Sequence, residues 1–206
     1  GVVAEKITVV PIYTDVQVQK DSTKKMAPGK RRFITVSRLV PVKNIALQLQ
    51  AFAGLDKELD WSLDIVGDGP EKGILEKKVK ELGLEGHVSF LGWCDSEELV
   101  RVYNSADCLL LTSNSEGWGR VVIEAGSYGV PTIMTDVGLA GEVVKDGENG
   151  IIIPVGDVSA LRNAIERVIL EPVYLKKLST GIVETVKRLL TKEEVLERYL
   201  GGWKKI

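Results

Sequence analysis

In the stretch SNSEGWGRVVIEAGSYGVPTI, residues 113–133, a loop with two glycines runs straight into a helical pattern. One carboxylate, Glu116, stands before the turn, and a second, Glu124, faces inward after it. The N–H groups that open a helix already attract anions, so two acids in that place need a separate reason. Glu116 alone could be a helix-start acid favoured by the macrodipole, worth about 0.3–1 kcal/mol. Glu124 resists that account. Val121, Val122 and Ala125 surround it, and an unpaired acid in an apolar setting is costly. Arg38 and Lys43, in SRLVPVKN, put cationic charge beside another helix start, which makes a receptacle for phosphates. The N–H groups of Gly119, Arg120 and Val121 can join them. Taken together, these groups are complementary to a nucleotide diphosphate. The cations and helix N–H groups take the anion, and the acids accept hydrogen bonds from a ribose on one side and a sugar on the other.

The elements that must position these residues are legible as short apolar runs alternating with helix-period segments. RFITVS, SLDIVG, HVSFLG, DCLLLTS, PTIMTD and GIIIPV read as six strands, apolar throughout, as when helices cover both faces of a sheet. The segments between them carry the 3.6-residue period, with helices expected over 44–52, from Pro70 to about Leu82, after an Asp95–Glu98 capping box, after Gly119, and briefly at 141–145. Asp157 caps a further helix to about Leu170, and Pro172 interrupts the helical pattern that follows. This alternation predicts a doubly wound α/β fold, a Rossmann-like parallel sheet of about six strands with helices on both faces and a C-terminal helical extension. Residues 1–30 read as a leading strand, KITVVPI, and a polar linker; 31–170 form the Rossmann-like domain, and 171–206 the C-terminal helices.

Ligands of an open parallel sheet bind beyond the C-terminal ends of its strands, and the unusual clusters all fall there. SRLVPVKN follows the first strand, GDGP with Gly67 and Gly69 the second, LGWC with Gly92 and Trp93 the third, TSNSEGWG the fourth and TDVGLAGE the fifth. GDGP alone is usually only a strand–helix turn, and a pair like Arg38 and Lys43 is usually solvated surface charge. Trp118, flanked by two glycines, reads as exposed on its loop. The coincidence of these clusters on one rim carries the reading.

Composition bounds the alternatives. The chain has 206 residues, 44% hydrophobic and 27% charged, with a net charge of −2. That balance argues against nucleic acid or an anionic membrane as main partner. Cys94 and Cys108 lack metal or redox spacing, and Cys108 opens an apolar run as a reduced core residue. The lone histidine, His87, starts a strand and reads as structural, which leaves His-based triads and metal clusters without support. The N-terminus lacks a secretory pattern and no apolar run reaches membrane-spanning length, so a cytoplasmic setting, or the inner face of a membrane, is expected.

The motifs SRLVPVKN, IVGDGP, VSFLGW and the long run from SNSEGWG to IIIPVGD, in this order over about residues 30–170, resemble the C-terminal domain of retaining GT-B glycosyltransferases of the family 4 type. Glu116 and Glu124 match that family's E-x7-E pair. The resemblance implies a nucleotide-sugar donor site in which Arg38 and Lys43 bind the diphosphate, Glu124 holds the ribose and Glu116 contacts the transferred sugar. Trp118, Gly119, Arg120 and Val121 would line sugar and phosphate. Main chain at Gly92 and Trp93 would meet the base, with Gly67 to Gly69 nearby. It implies transfer with retention, the leaving diphosphate helping to deprotonate the acceptor, and no cofactor or metal. It also implies an N-terminal acceptor domain or partner subunit, to which the last helices cross and through which the enzyme could meet a membrane. The chain departs from the family pattern in VVPIYTD, AGSYG and VGLAGE, none of which removes a matching charged residue. A non-catalytic nucleotide-sugar-binding module is the alternative, with a GT-B epimerase behind it. A nicotinamide-dependent oxidoreductase is disfavoured, because the first strand leads into SRLVPVKN and not a G-x-G-x-x-G turn.

Overall fold

Parallel strands that are apolar on both faces call for a layer of helix on each, and the computed structural model has that arrangement, although the strands at 61–66 and 88–92 are not apolar throughout, Ser62 and Asp64 being half-buried and Ser89 and Leu91 exposed. It describes residues 18, 29–189 and 192–203; the expected leading strand and most of the linker lie outside them. Six strands, β1 (Arg31–Val36), β2 (Trp61–Val66), β3 (Val88–Gly92), β4 (Cys108–Leu111), β5 (Thr132–Thr135) and β6 (Gly150–Ile153), form one parallel sheet in the order β3-β2-β1-β4-β5-β6. The order reverses between β1 and β4, and such a reversal opens a crevice above the sheet.

Alternate strand residues feed two cores. Phe33, Leu63, Ile65, Leu110 and Ile133 pack on one face with helices α1 (Ile45–Ala53), α2 (Lys72–Glu81) and α5 (Val158–Leu170). Ile34, Leu109, Leu111 and Met134 pack on the other with α3 (Ser96–Ser105) and α4 (Arg120–Ser127). Helix α6 (Pro172–Lys187) joins both, Leu175 and Leu178 lying in the first cluster and Ile182 and Val186 in the second. Helix α7 (Lys192–Trp203) follows. Cys108 is buried in the first core and both cysteines are free. His87 stacks on Trp61, with Nδ1 3.0 Å from the Trp61 carbonyl oxygen, a structural part. Among the described residues no helix is long and apolar enough to cross a membrane.

The caps follow the residue types. Asp95 accepts from the Glu98 N–H at 2.9 Å and the Glu98 side chain accepts from the Asp95 N–H at 2.9 Å, a complete capping box. Asp157 accepts from the Ala160 N–H at 2.9 Å at the start of α5. Asp157→Ala is expected to cost about 1 kcal/mol, read as a lower urea midpoint with an unchanged slope; an unchanged midpoint would deny the cap any role.

Two expectations are corrected. The short helix at 141–145 does not form. Gly141 and Gly147 take positive φ (76° and 69°), Ala140 bridges Val144, and Asn149 binds the turn by accepting from the Lys145 N–H and donating to the Val143 carbonyl. Helix α2 begins at Lys72, so Pro70 precedes the helix and does not occupy its first turn.

Candidate functional site

The five rim loops are stitched to one another by backbone contacts. Gly67 N–H donates to the Gly92 carbonyl at 2.6 Å, which ties the β2 and β3 ends together. Leu39 N–H donates to the Asp68 carbonyl at 2.9 Å, and a side chain on Gly69 would meet the Leu39 carbonyl at 2.4 Å, so the loops after β1 and β2 are in close apposition. Across the crevice, Asn114 N–H donates to the Val42 carbonyl at 2.8 Å. The loop after β5 packs on the loop after β4 at Gly138, where a Cβ would lie 2.8 Å from the Trp118 carbonyl oxygen and 3.0 Å from the Glu116 Cβ. Gly67, Gly69 and Gly138 are thus close-approach positions, and Gly92 and Gly119 take positive φ where the chain turns (72° and 91°).

On this frame Lys43 and Glu116, from opposite sides of the crevice, form an ion pair between Nζ and Oε1. Ser113 Oγ donates to the same carboxylate oxygen at 2.6 Å. The pair is largely shielded, Lys43 being 22% and Glu116 10% exposed, where charges act more strongly than in open water. Lys43 ends a short 3-10 turn, Pro41–Lys43, just ahead of α1. Arg38 lies on the same loop, exposed, and makes no ion pair among the described residues. Helix α4 opens beside Glu116, with Gly119 as N-cap and Arg120 and Val121 as its first residues; the N–H groups that begin a helix have no partner within it.

Glu124 is half-buried on α4, and among its apolar neighbours it has a hydrogen-bond partner. The Tyr103 hydroxyl, from α3, donates toward its Oε2 at 3.3 Å. Burial first, and then the carboxylate, hold the Tyr103 phenol protonated well above its ordinary range, so it remains a donor at any working pH. Trp93 is 77% exposed at the β3 end. Trp118 departs from expectation: it is partly buried and packs against the second core, where its backbone also lies close to Gly138. Ser113, Asn114, Tyr103 and Thr112 were not visible as site residues in the sequence. Their only advance signal was a polar side chain at a strand or helix end. Among the described residues no cluster of three His, Cys, Asp or Glu is placed to hold a metal.

A doubly wound parallel sheet with a ligand crevice at the strand-order reversal is shared by many nucleotide-binding proteins, and comparison with known proteins narrows it. The family model for glycosyl transferases group 1 matches residues 17–192. The chain belongs to that family. Among curated members, N-acetyl-alpha-D-glucosaminyl L-malate synthase of Bacillus anthracis is 30% identical over 174 residues, 84% of this chain and 45% of that protein. The lipopolysaccharide core glycosyltransferase LpsE of Rhizobium meliloti is 29% identical, over 81% of this chain and 48% of its own length. This chain therefore spans about half of each of these group 1 relatives. Among solved structures, the lipopolysaccharide outer core galactosyltransferase WaaB superposes with a TM-score of 0.83 at 25% identity, covering 100% of this chain and 58% of that one. The C-terminal domain of a group 1 protein, LpcC of Francisella tularensis, matches at 26% identity and a TM-score of 0.71, over 85% of this chain and 93% of that one.

Proposed function

We propose that the chain is the donor-binding domain of a retaining glycosyltransferase, which moves a hexose from a nucleotide-diphosphate sugar to an acceptor held by a separate N-terminal domain or partner subunit. The observation that carries this reading is the Lys43–Glu116 pair at the crevice between β1 and β4, beside the start of α4. A sugar diphosphate presents adjacent anionic and hydroxylic parts, and Lys43 and Glu116 offer adjacent groups that suit them. Arg38 and the first N–H groups of α4, at Arg120 and Val121, complete the diphosphate site with Gly119 and Trp118. They stabilise charge developing on the leaving diphosphate, the electrostatic role that often dominates catalysis. No metal is then needed to neutralise it.

Glu124 takes the ribose. Tyr103 occupies Oε2, which leaves Oε1 to accept from a ribose hydroxyl. Main chain at Gly92 and Trp93, with Gly67 to Gly69, meets the base. The likeness to a group 1 C-terminal domain, of which this chain covers 93%, supports reading it as one half of a cleft. The bond breaks with retention, the acceptor and any contact with a membrane belong to the other half, and the chain alone binds donor weakly and transfers poorly.

Calorimetric titration with UDP, GDP and ADP and their sugar conjugates tests this. Glu124→Ala should weaken binding of the nucleoside diphosphate by about 1.5 kcal/mol and leave inorganic pyrophosphate unaffected. Equal losses for both ligands contradict the ribose role.

A further inference from the structure

The loop that carries Lys43 is held from below by a buried polar chain. Thr35 Oγ1 donates to Gln48 Oε1 at 2.6 Å, and Gln48 Nε2 donates to Thr112 Oγ1 at 2.9 Å. The Thr112 hydroxyl lies 3.2 Å from the Lys43 carbonyl oxygen and 3.1 Å from that of Asn44, and donates to them. A carbonyl has no proton, so Thr112 must donate there and accept from the amide. That puts the amide nitrogen toward Thr112 and its oxygen toward Thr35, and fixes the direction of the whole chain. Gln48 is 0% exposed, Thr112 1% and Thr35 3%.

Gln48 sits where the sheet opens. β1 and β4 pair at Phe33–Cys108 and Ile34–Leu109; past those pairs they part, at the reversal of strand order, and the Gln48 side chain spans from Thr35 on one to Thr112 beyond the end of the other. An apolar side chain would fill that space without the penalty of burying an amide. What the amide holds is Asn44, the one non-glycine residue with positive φ among those described (φ 47°, ψ 46°). Such a conformation persists where its surroundings over-determine it. Asn44 is also tied sideways, its Nδ2 donating to Asn114 Oδ1 at 3.2 Å.

We propose that Gln48 is a positioning residue for the diphosphate site. Acting through Thr112, it fixes the carbonyls of Lys43 and Asn44, and so aims the Lys43 ammonium and the first N–H groups of α1 into the crevice. The inference rests on the donor-site reading above.

The test titrates the 206-residue chain with UDP, GDP and ADP in a double-mutant cycle. Gln48→Leu and Thr112→Val should each weaken the nucleotide that binds by about five- to tenfold, the scale of one good hydrogen bond. Thr112→Ser keeps the hydroxyl and should stay within about twofold. In a Lys43→Ala background, Gln48→Leu should cost no more than about a further twofold, because both changes remove the same interaction. Amide exchange in the nucleotide-free chain reads the same link. The Asn44 N–H, bonded to the Pro41 carbonyl, and the Leu47 N–H, bonded to the Asn44 carbonyl, should exchange faster in both variants. Should Gln48→Leu fail to fold, the Thr112→Val and Thr112→Ser pair carries the test. Unchanged protection at Asn44 and Leu47, or a loss that adds in full to that of Lys43→Ala, overturns the positioning role while the donor site stands. Lys43→Ala binding as tightly as the unaltered chain overturns this inference, and Arg38→Ala doing so as well overturns the donor site.

Discussion

Replacing Lys43 with alanine is expected to weaken nucleoside diphosphate binding by about 1.5–3 kcal/mol, or roughly ten- to hundredfold. Two effects add. The ammonium is lost as a charge-assisted donor to phosphate, in a site where Lys43 is only 22% exposed and solvent screening is reduced. Glu116, 10% exposed in the unaltered chain, also loses its cation, keeps the hydrogen bond from Ser113, and turns from a neutralised neighbour into a repulsive one. The same arrangement sets a limit on Lys43 in the unaltered chain, where an incoming diphosphate has to share the ammonium with Glu116. It follows that Glu116→Gln in the Lys43→Ala background recovers part of the loss for a nucleoside diphosphate, because the repulsion goes. In the unaltered background the same change is expected to weaken the nucleotide sugar, because the carboxylate proposed to accept from sugar hydroxyls becomes a neutral amide, a weaker acceptor. Calorimetry on the four chains separates the two effects. Unchanged affinity in both Lys43→Ala and Arg38→Ala would remove the phosphate site altogether.

The strands were legible because burial on both faces forces short uninterrupted apolar runs such as CLLL and GIII, here set between turn signals. The capping box at Asp95 and the cap at Asp157 were legible because their chemistry is local: acceptor and N–H are three residues apart. The interior of the site was not, and the reason is separation along the chain. Lys43 meets Glu116 across 73 residues and Gln48 meets Thr112 across 64, and no local pattern marks such pairs. Gln48 illustrates the cost. A glutamine in an amphipathic helix reads as surface, yet it is fully buried, because the crevice between β1 and β4 supplies hydrogen-bonding partners that only the folded sheet brings near. Trp118 fails for a related reason. Two flanking glycines read as an exposed loop, yet the tryptophan packs on the second core, which only the folded sheet brings near, and Gly138, from another strand end, approaches its backbone closely.

Gly67→Ala is expected to cost about 3 kcal/mol or more, through steric and backbone strain together, and to lower the thermal midpoint by roughly 6–12 °C for a chain of this size. Gly67 follows β2 with φ of +124°, a conformation that side-chain-bearing residues rarely adopt, and an added Cβ would stand 1.9 Å from the Ser37 carbonyl oxygen. Relief by local movement is blocked on both sides. The Gly67 N–H is bonded to Gly92 at 2.6 Å, and Ser37 N–H is bonded to the Val66 carbonyl at 3.1 Å. The backbone that must yield is therefore the stretch leading into Arg38, so the variant should also bind nucleotide less well wherever it remains folded. Two other glycines calibrate the result. Gly86 has no atom within 4 Å of an added Cβ and no positive φ, and Gly86→Ala should be close to neutral. Gly73 is the second residue of α2 with equally open space, and Gly73→Ala should be neutral or stabilise by up to about 0.5 kcal/mol, less than in a helix interior, because alanine loses less backbone freedom in a helix. If thermal melts show Gly67→Ala within 2 °C or so of its Gly86→Ala counterpart, then the β2 loop is not clamped on β1 and the rim lacks the rigidity that the site requires.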